Sequence, residues 1–192
     1  MNTILDELTT SLNVMILQTE INLPILGLIL LVLWGAFFIT SMDKRVLYLG
    51  IIPRRIYGLP GVFFAPFLHA NFNHLFFNTI PLVVLSNFLL MNGLHYFLVV
   101  TGVITVLSGL LIWCFAKSGL HIGASAVITG YWGLLVSNIY QQGSMTAVIL
   151  GMVSLYYFAG IFYGVFPGEK GVSWQGHLFG LIAGLAAGYL IH

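Results

Sequence analysis

Two long stretches of this chain contain no charged residue. No Asp, Glu, Lys or Arg lies between Arg55 and Lys117, and none lies between Lys117 and Glu169. A membrane-spanning helix needs about 20 apolar residues, so each stretch is long enough for two spans. Breaks rich in Gly and polar residues divide the stretches near their middles, at 92–93 and 141–144. This pattern predicts that most of the chain is surrounded by lipid.

The composition excludes several classes of protein. Only 6% of the 192 residues are charged and 59% are hydrophobic, whereas a soluble domain carries about 25% charged residues. So few charges cannot cover a soluble globule, which excludes an ordinary cytoplasmic enzyme and a disordered chain. The six Lys and Arg residues form no basic patch, so no nucleic-acid partner is expected. The single cysteine, Cys114, cannot form an intrachain disulfide.

The spacing of apolar segments predicts an all-α membrane protein with six transmembrane helices. The predicted spans cover residues 23–40, 74–91, 94–116, 124–140, 145–166 and 175 to the C-terminus. Residues 1–20 start acidic, unlike a signal peptide, and their apolar residues at helical spacing could form a short interfacial helix. We therefore divide the chain into an N-terminal segment, 1–20, and a six-span domain, 21–192.

The predicted connection between the first two spans is unusually long. Residues 41–73 mix Pro, Gly and polar residues with Ile, Phe and Leu. Such a segment is too irregular to cross the membrane and too apolar to extend into water. We expect a long structured loop at the membrane interface, packed against the bundle.

Polar side chains begin three of the predicted spans. His74 begins the second span, Ser125 the fourth and His177 the sixth. Because consecutive helices alternate in direction, all three groups lie at a similar depth on one side of the membrane. Asn78 follows His74 by about one turn on the same helix face. Polar groups at membrane depth are functional candidates.

These residue types permit acyl transfer. A serine becomes a nucleophile when a base, usually histidine, takes its proton, so Ser125 and His177 are the predicted catalytic residues. His74, Asn78 and the backbone N–H of Ser125 are candidate donors to a developing oxyanion. No carboxylate lies near these residues in the sequence, which favours a Ser-His dyad over a triad. Neither a metal nor a cofactor is expected.

Glycines accompany the predicted catalytic residues. Gly123 precedes Ser125 by two positions and permits a close backbone approach at the turn into the helix. Gly180 and Gly184 belong to a stripe of glycines spaced by four in the last span, and such a stripe lets another helix come close. If that helix is the fourth span, Ser125 and His177 are pressed together.

These motifs resemble those of the rhomboid intramembrane serine proteases. The family pattern of a His, four residues, a His, three residues and an Asn matches His69, His74 and Asn78. The Gly-x-Ser motif matches Gly123 and Ser125, and a His with glycines three and seven residues later matches His177, Gly180 and Gly184. The similarity extends from about Pro53 to the C-terminus.

The resemblance implies a rhomboid-like bundle that cleaves a peptide bond in or near the transmembrane segments of membrane proteins. It implies that Ser125 is the nucleophile and His177 the general base, with His74 and Asn78 binding the oxyanion. His69 would support the first loop. The fifth predicted helix and residues 167–173 would form a mobile gate and cap. The expected partners are transmembrane substrates and the lipid bilayer.

Two positions near the predicted nucleophile depart from the family pattern. Ala126 follows the predicted nucleophile where Gly is usual, and Thr129 stands where many relatives carry an aromatic residue against the catalytic His. A Thr129 hydroxyl could hydrogen-bond the His177 ring. His121, four residues before Ser125, is either a loop anchor or part of the rim of the site.

Two indications of membrane orientation conflict. All six Lys and Arg residues lie in the first, third and fifth connections, which the positive-inside rule places in the cytoplasm. The resemblance instead implies a site open to the extracytoplasmic side of a bacterial-type inner or plasma membrane. Our prediction follows the family topology, because four of the six basic residues lie in the first connection, which could pack on headgroups of either leaflet.

Two other classes of function remain open. An inactive rhomboid-like protein would bind membrane proteins without cleaving them; such relatives typically lose the Ser or the His, and this chain has both. Alternatively, His69, His74 and His177 near one membrane face could hold a metal ion. Against a metal site, the sequence contains no His-Glu-x-x-His motif and no Cys cluster.

Overall fold

The computed structural model describes residues 2–166 and 173–191, which are predominantly helical. The α-helices are α1 (Asn2–Met42), α2 (Gly61–Phe64), α3 (Phe72–Leu90), α4 (Leu94–Phe115), α5 (Ser125–Gln142), α6 (Met145–Phe158), α7 (Gly160–Tyr163) and α8 (Trp174–Leu190). Between α1 and α3, α2 is accompanied by 3₁₀ helices at Lys44–Leu49, Ile56–Gly58 and Ala65–Phe67.

Most helix starts agree with the sequence prediction. α3, α4, α5, α6 and α8 each begin within two residues of a predicted span. The break between α5 and α6 shows why. Gly143 ends α5 with a φ of +60°, a left-handed conformation that glycine adopts without strain. The side chain of Ser144 then accepts a hydrogen bond from the N–H of Ala147 and caps the start of α6.

Two helices differ from the prediction. α1 begins at Asn2 rather than near residue 23, because apolar residues continue upstream and no Gly-rich break separates the two parts. The division of the chain at residue 20 therefore falls inside a continuous helix, and it stays a prediction. α6 ends at Phe158 rather than near residue 166, and the short α7 follows from Gly160. Gly in a helix interior costs about 1 kcal/mol relative to Ala, which favours a break there.

Three of the described helices are long and apolar enough to cross a membrane. They are Ile4–Met42 within α1, Phe72–Leu90 and Leu94–Phe115. The α6 and α8 helices contain only 14 and 17 residues, and the 18 residues of α5 include several polar side chains. The structure therefore supports an all-helical membrane protein, whereas the six-span count stays a prediction.

The core of the protein surrounds α5. This helix packs most extensively on α8, and also on α6, α3 and α4. All of its residues from 127 to 135 are buried, as expected for a helix that has neighbours on every side. The burial explains why α5 tolerates a polar composition: its contacts are with protein rather than with lipid.

A network of amide side chains joins α1 to α3. The Nδ2 group of Asn22 donates to Oδ1 of Asn87 at 2.9 Å, and Nδ2 of Asn87 donates to Oγ1 of Thr19 at 2.9 Å. Gln18 donates to Oδ1 of Asn22 at 3.1 Å. Asn22 is buried, with 2% of its surface exposed, so these bonds satisfy polar groups that would otherwise be costly in an apolar layer.

The segment before α2 is held against the end of α4. Nη1 of Arg54 donates to the carbonyl oxygen of Ala116 at 2.6 Å, and Nε1 of Trp113 donates to the carbonyl oxygen of Arg55 at 2.9 Å. A guanidinium at the C-terminal end of a helix also complements the helix dipole. These bonds attach the first connection to the side of the protein on which α5 begins.

Candidate functional site

A cavity of about 710 Å³ lies at the starts of α3, α5 and α8. Its lining includes His74, Asn78, Ser125 and His177, which belong to three different helices. The alternation of helix direction predicted that these groups lie on one side, and the structure brings all four to a single space. The cavity is the candidate active site.

Backbone contact between α5 and α8 sets the position of two of these residues. A Cβ atom at Gly180 would lie against the carbonyl oxygen of Ala126 and 2.8 Å from its carbonyl carbon. A Cβ atom at Gly184 would likewise meet the carbonyl group of Gly130. The glycine stripe therefore faces α5, as its spacing indicates. Because Ser125 is adjacent to Ala126, this contact brings the start of α5 close to the first turns of α8.

The turn before Ser125 receives the ring of His74. Gly123 has a φ of +110°, which side-chain-bearing residues rarely adopt, and its N–H donates to the carbonyl oxygen of Ala65 at 2.8 Å. A Cβ atom at Gly123 would lie 2.6 Å from Nε2 of His74. Glycine is thus required twice at this position, once for the backbone conformation and once for the approach of the imidazole.

His69 lies behind His74 and is fully buried. The two rings meet edge to face with their centroids 4.9 Å apart, and Nδ1 of His69 is 3.3 Å from the carbonyl oxygen of Phe67. Burial, reinforced by the neighbouring His74, lowers the pKa of His69 to about 4. His69 is therefore neutral at physiological pH, and its ring forms part of the wall behind His74.

Asn78 lines the cavity from the second turn of α3. Its Nδ2 group donates to the carbonyl oxygen of His74 at 2.8 Å, and the residue is 8% exposed. A side-chain amide has two N–H bonds. One fixes the amide against its own helix, which leaves the second for a group in the cavity.

The Thr129 hydroxyl, which the sequence left as a candidate partner of the His177 ring, bonds its own helix. Oγ1 of Thr129 donates to the carbonyl oxygen of Ser125 at 2.8 Å. A threonine hydroxyl in a helix readily bonds the carbonyl four residues earlier, and Thr129 is buried with only 1% of its surface exposed. Nδ1 of His177 is buried without a hydrogen-bond partner among the residues that the structure describes.

The backbone of Gly164 lies beside the ring of His177, a contact that sequence reasoning missed. A Cβ atom at Gly164 would meet Nδ1 of His177 and would lie 2.7 Å from its Cε1. The only sequence signal was a glycine within the aromatic end of the fifth predicted span, residues 145–166. The proposed cap, residues 167–173, lies outside the described residues except for Ser173.

His121 is a loop anchor that also lines the cavity. Its Nε2 atom lies 3.0 Å from the carbonyl oxygen of Lys117, and its Nδ1 atom lies 3.0 Å from Oγ of Ser173. Its backbone also pairs with that of Ile51 in an isolated antiparallel bridge. The residue therefore joins three segments of the chain at the edge of the cavity.

A family comparison connects this site to known proteins. The model of the Rhomboid domain matches residues 55–192, which include every candidate site residue. This chain belongs to the rhomboid family. Rhomboids are generally intramembrane serine proteases, and the family together with the three apolar helices makes this chain an integral membrane protein. The matched region starts after α1, so the longest helix of this rhomboid lies outside it.

Curated relatives of this rhomboid come from mycobacteria. It is 43% identical over 152 residues to the uncharacterized proteins Rv1337 of Mycobacterium tuberculosis and Mb1372 of Mycobacterium bovis. The alignment covers 74% of this chain and 63% of each relative. It is 40% identical over 141 residues to the uncharacterized protein ML1171 of Mycobacterium leprae, covering 68% of this chain and 55% of that one. The rhomboid described here thus spans less than two-thirds of the length of these relatives.

The histidines of this rhomboid were also candidates for a metal site. Across residues 2–166 and 173–191, no group of three or more His, Cys, Asp or Glu side chains is arranged to hold a metal ion. The His69 and His74 rings contact each other, and the polar atoms that face the cavity are hydroxyl, amide and imidazole groups. This set of groups suits proton transfer and hydrogen bonding.

Proposed function

We propose that this rhomboid is an intramembrane serine endopeptidase with a Ser125–His177 dyad. It would cleave a peptide bond in or near the transmembrane segments of membrane proteins, without a cofactor. The observation that supports this proposal most strongly is the backbone contact between Gly180 and Ala126, beside a cavity that Ser125 and His177 both line. A serine hydroxyl and its base must approach to about 3 Å, which requires helices this close.

Each candidate site residue has a role in this reaction. Oγ of Ser125 attacks the scissile carbonyl while His177 accepts its proton, and the imidazolium then protonates the leaving amine. A water molecule then attacks the acyl-enzyme, and His177 again accepts a proton and returns it, this time to the Ser125 oxygen. His69 and Gly123 support the ring of His74, while Gly180 and Gly184 bring the two catalytic helices together.

The oxyanion would be bound at the start of α5. The first N–H groups of a helix have no partner within it, and the helix dipole favours negative charge there. The N–H of Ser125 is one such group, the free N–H of the Asn78 amide is a second donor, and His74 is a third. These donors act on charge that develops only in the transition state.

In the membrane, we propose six spans formed by α1, α3, α4, α5, α6 with α7, and α8. Residues 43–71 would lie at the interface, with residues 1–20 as an N-terminal segment. We propose that the site opens to the extracytoplasmic side of a bacterial-type inner or plasma membrane. Because the cavity lies at the starts of three helices, water could reach the acyl-enzyme from that side without crossing the bilayer.

Labelling with a serine-directed fluorophosphonate tests the proposal. The full chain, reconstituted in liposomes, should be labelled and should cleave a helical membrane substrate, and Ser125→Ala should lose both activities. Ser137→Ala is a matched control, because Ser137 lies on the same helix and donates to the carbonyl oxygen of Leu134. It should retain both activities.

The rival functions give different results in the same assay. A folded protein that captures membrane substrates but is neither labelled nor able to cleave would be an inactive rhomboid-like binder. Cleavage that disappears on addition of EDTA and returns with a divalent metal would indicate a metal-dependent protein. Either result would overturn the serine-protease assignment.

A further inference from the structure

We propose that His121 is a positioning residue for His177, because it ties the segment that carries Ser125 to the first turn of α8. This inference rests on the proposed protease function. His121 lies four residues before Ser125, and Ser173 lies four residues before His177. The contact between His121 and Ser173 thus joins the two chain segments just upstream of the proposed dyad.

The hydrogen bonds define the state of the His121 ring. A carbonyl oxygen only accepts hydrogen bonds, so Nε2 of His121 carries the proton and donates to Lys117 at 3.0 Å. In the neutral ring, Nδ1 then accepts from the hydroxyl of Ser173 at 3.0 Å. Both ring nitrogens are therefore hydrogen-bonded: Nε2 to the connection between α4 and α5, and Nδ1 to the N-cap residue of α8.

Ser173 transmits this contact to the helix of the proposed base. It is the N-cap of α8, and its Oγ atom accepts a hydrogen bond from the N–H of Gly176 at 3.3 Å. Its carbonyl oxygen accepts from Gly176 at 2.9 Å and from His177 at 3.4 Å. Displacement of Ser173 would therefore displace the backbone of His177.

The His121 side of the His121–Ser173 hydrogen bond, which we call the tie, is also held in place. The backbone N–H of His121 donates to Ile51 at 2.9 Å and the N–H of Ile51 donates to His121 at 3.0 Å. In addition, the N–H of Lys117 donates to Oε1 of Gln175 at 3.1 Å. The connection between α4 and α5 is thus attached to the segment between α1 and α3 on one side and to the start of α8 on the other.

The packing of α8 on α5 explains why such a tie is needed. The glycine contacts determine how closely the two backbones approach. Because the glycine face of α8 presents few side chains to α5, it does little to prevent α8 from shifting along its own axis. No side chain among the described residues hydrogen-bonds Nδ1 of His177, and the backbone of Gly164 lies beside it. The position of the His177 ring therefore depends on the contact with Gly164 and on the backbone of the first turn of α8, to which the His121–Ser173 bond is attached.

Two substitutions at His121 separate its two hydrogen bonds. His121→Gln keeps an N–H near the position of Nε2 for Lys117 but loses the bond to Ser173. His121→Asn keeps an amide near the position of Nδ1 for Ser173 but loses the bond to Lys117. We expect His121→Gln to lower kcat about tenfold with an unchanged KM, and His121→Asn to retain most of the activity.

Substitution of the partner completes the test. Ser173→Ala loses this bond and also the N-cap bond to Gly176, so it should lower kcat at least as much as His121→Gln. The double variant should be no worse than Ser173→Ala alone, because both lack the bond between His121 and Ser173. Ser173→Thr should retain activity, since its hydroxyl can both cap the helix and donate to Nδ1 of His121. If the effects of His121→Gln and Ser173→Ala simply multiply, the tie does not exist.

Hydrogen exchange in the full-length protein measures the tie without relying on activity. In detergent micelles, the amides of residues 174–178 should exchange faster in His121→Gln and Ser173→Ala than in the unaltered protein or in His121→Asn. Unchanged exchange and unchanged kcat in His121→Gln would overturn the inference. So would an equal loss of activity in both His121 variants with a lowered melting temperature, which would reveal a role in folding alone. If the unaltered protein is not labelled by fluorophosphonate, the protease proposal fails, whereas the exchange comparison still decides the inference.

Discussion

The carbonyl oxygen of Ala126 occupies the position that a side chain would take at Gly180. The contact lies one residue after Ser125 and three residues after His177, so it controls the separation of these two side chains. A second contact of the same kind follows one turn later, where Gly184 meets the carbonyl group of Gly130. The close approach of α5 and α8 thus depends on glycines that touch backbone rather than flexible side chains.

Substitution of Gly184 should damage both folding and activity. In Gly184→Val, the branched side chain would meet the carbonyl group of Gly130 and force α8 outward, at a cost of about 1–3 kcal/mol in unfolding free energy. Thermal melting and turnover of a membrane substrate should both decrease. Gly102→Val is the control, because nothing lies within 4 Å of a Cβ atom at that position. Normal melting and turnover of Gly184→Val would show that the stripe does not carry the contact.

Substitution of Gly164 should affect the chemistry more than the fold. In Gly164→Ala, the methyl group would meet Nδ1 of His177 and turn the ring, which should lower kcat by about tenfold or more. The rate of fluorophosphonate labelling should decrease in parallel, while the melting temperature changes little. Gly160→Ala, in the same short segment, has nothing within 4 Å of the added Cβ atom and should behave normally. Equal labelling rates in the two variants would contradict this role of Gly164.

Removal of the Asn78 amide should lower turnover at an unchanged level of folding. One lost oxyanion donor costs about 100-fold in kcat, and His74 and the N–H of Ser125 would partly compensate. The matched control is Asn138→Ala, which removes a buried asparagine that is 4% exposed and does not line the cavity. If Asn78→Ala is as active as this control at equal folded fractions, Asn78 serves only in packing.

The lowered pKa of His69 predicts that the folded protein becomes less stable in acid. Its pKa of about 4 in the folded protein lies below the usual 6.5, so the unfolded chain binds the proton more readily. The unfolding free energy should therefore be fully present above pH 6.5 and should decrease as the pH falls toward 4. Thermal melts in detergent between pH 4 and pH 8 measure this slope. His69→Gln should flatten it, whereas His95→Gln, at an exposed position, should leave it unchanged.

The substrate should be cut where its helix is weak. In a membrane helix the backbone carbonyl groups are engaged in hydrogen bonds to N–H groups four residues later, so a bond must unwind before Ser125 can attack it. Because the cavity lies at the ends of three helices, we expect cleavage near one end of the substrate span, at a small residue followed by Gly or Pro. A Gly-Pro pair moved along a Leu-rich helix, with cuts mapped by mass spectrometry, tests this. Equally fast cleavage of uniform Leu-Ala helices, or cuts at mid-span, would refute the prediction.

The sequence predicted those features that depend on short-range patterns. The charge-free stretches and their breaks located the starts of five helices, and the alternation of helix direction predicted that His74, Ser125 and His177 lie together. The glycine spacing indicated the face of α8 that contacts another helix. Each of these inferences requires only the geometry of a single helix and the thickness of a membrane.

Contacts between distant segments could not be predicted in this way. The bond between His121 and Ser173 joins residues 52 positions apart, and neither side chain belongs to a periodic pattern. The same holds for Gly164, whose importance depends on where the chain turns after α6. The sequence could not decide the partner of Thr129, because a hydroxyl in a helix can bond either a neighbouring side chain or its own backbone; the structure has it on the carbonyl oxygen of Ser125.

The part of α1 between the amide network and Lys44 is attached to the rest of the protein at both ends. Asn22 is bonded to Asn87 near the far end of α3, and beyond Met42 the Nζ group of Lys44 reaches the carbonyl oxygen of Ala70 at 3.4 Å. The helix between these attachments is about 30 Å long. Deletion of one residue would shorten it by about 1.5 Å and rotate one end by about 100° relative to the other. The amide network and the Lys44 contact would then be out of register with each other, so the number of residues in this part of α1 matters as well as their identity.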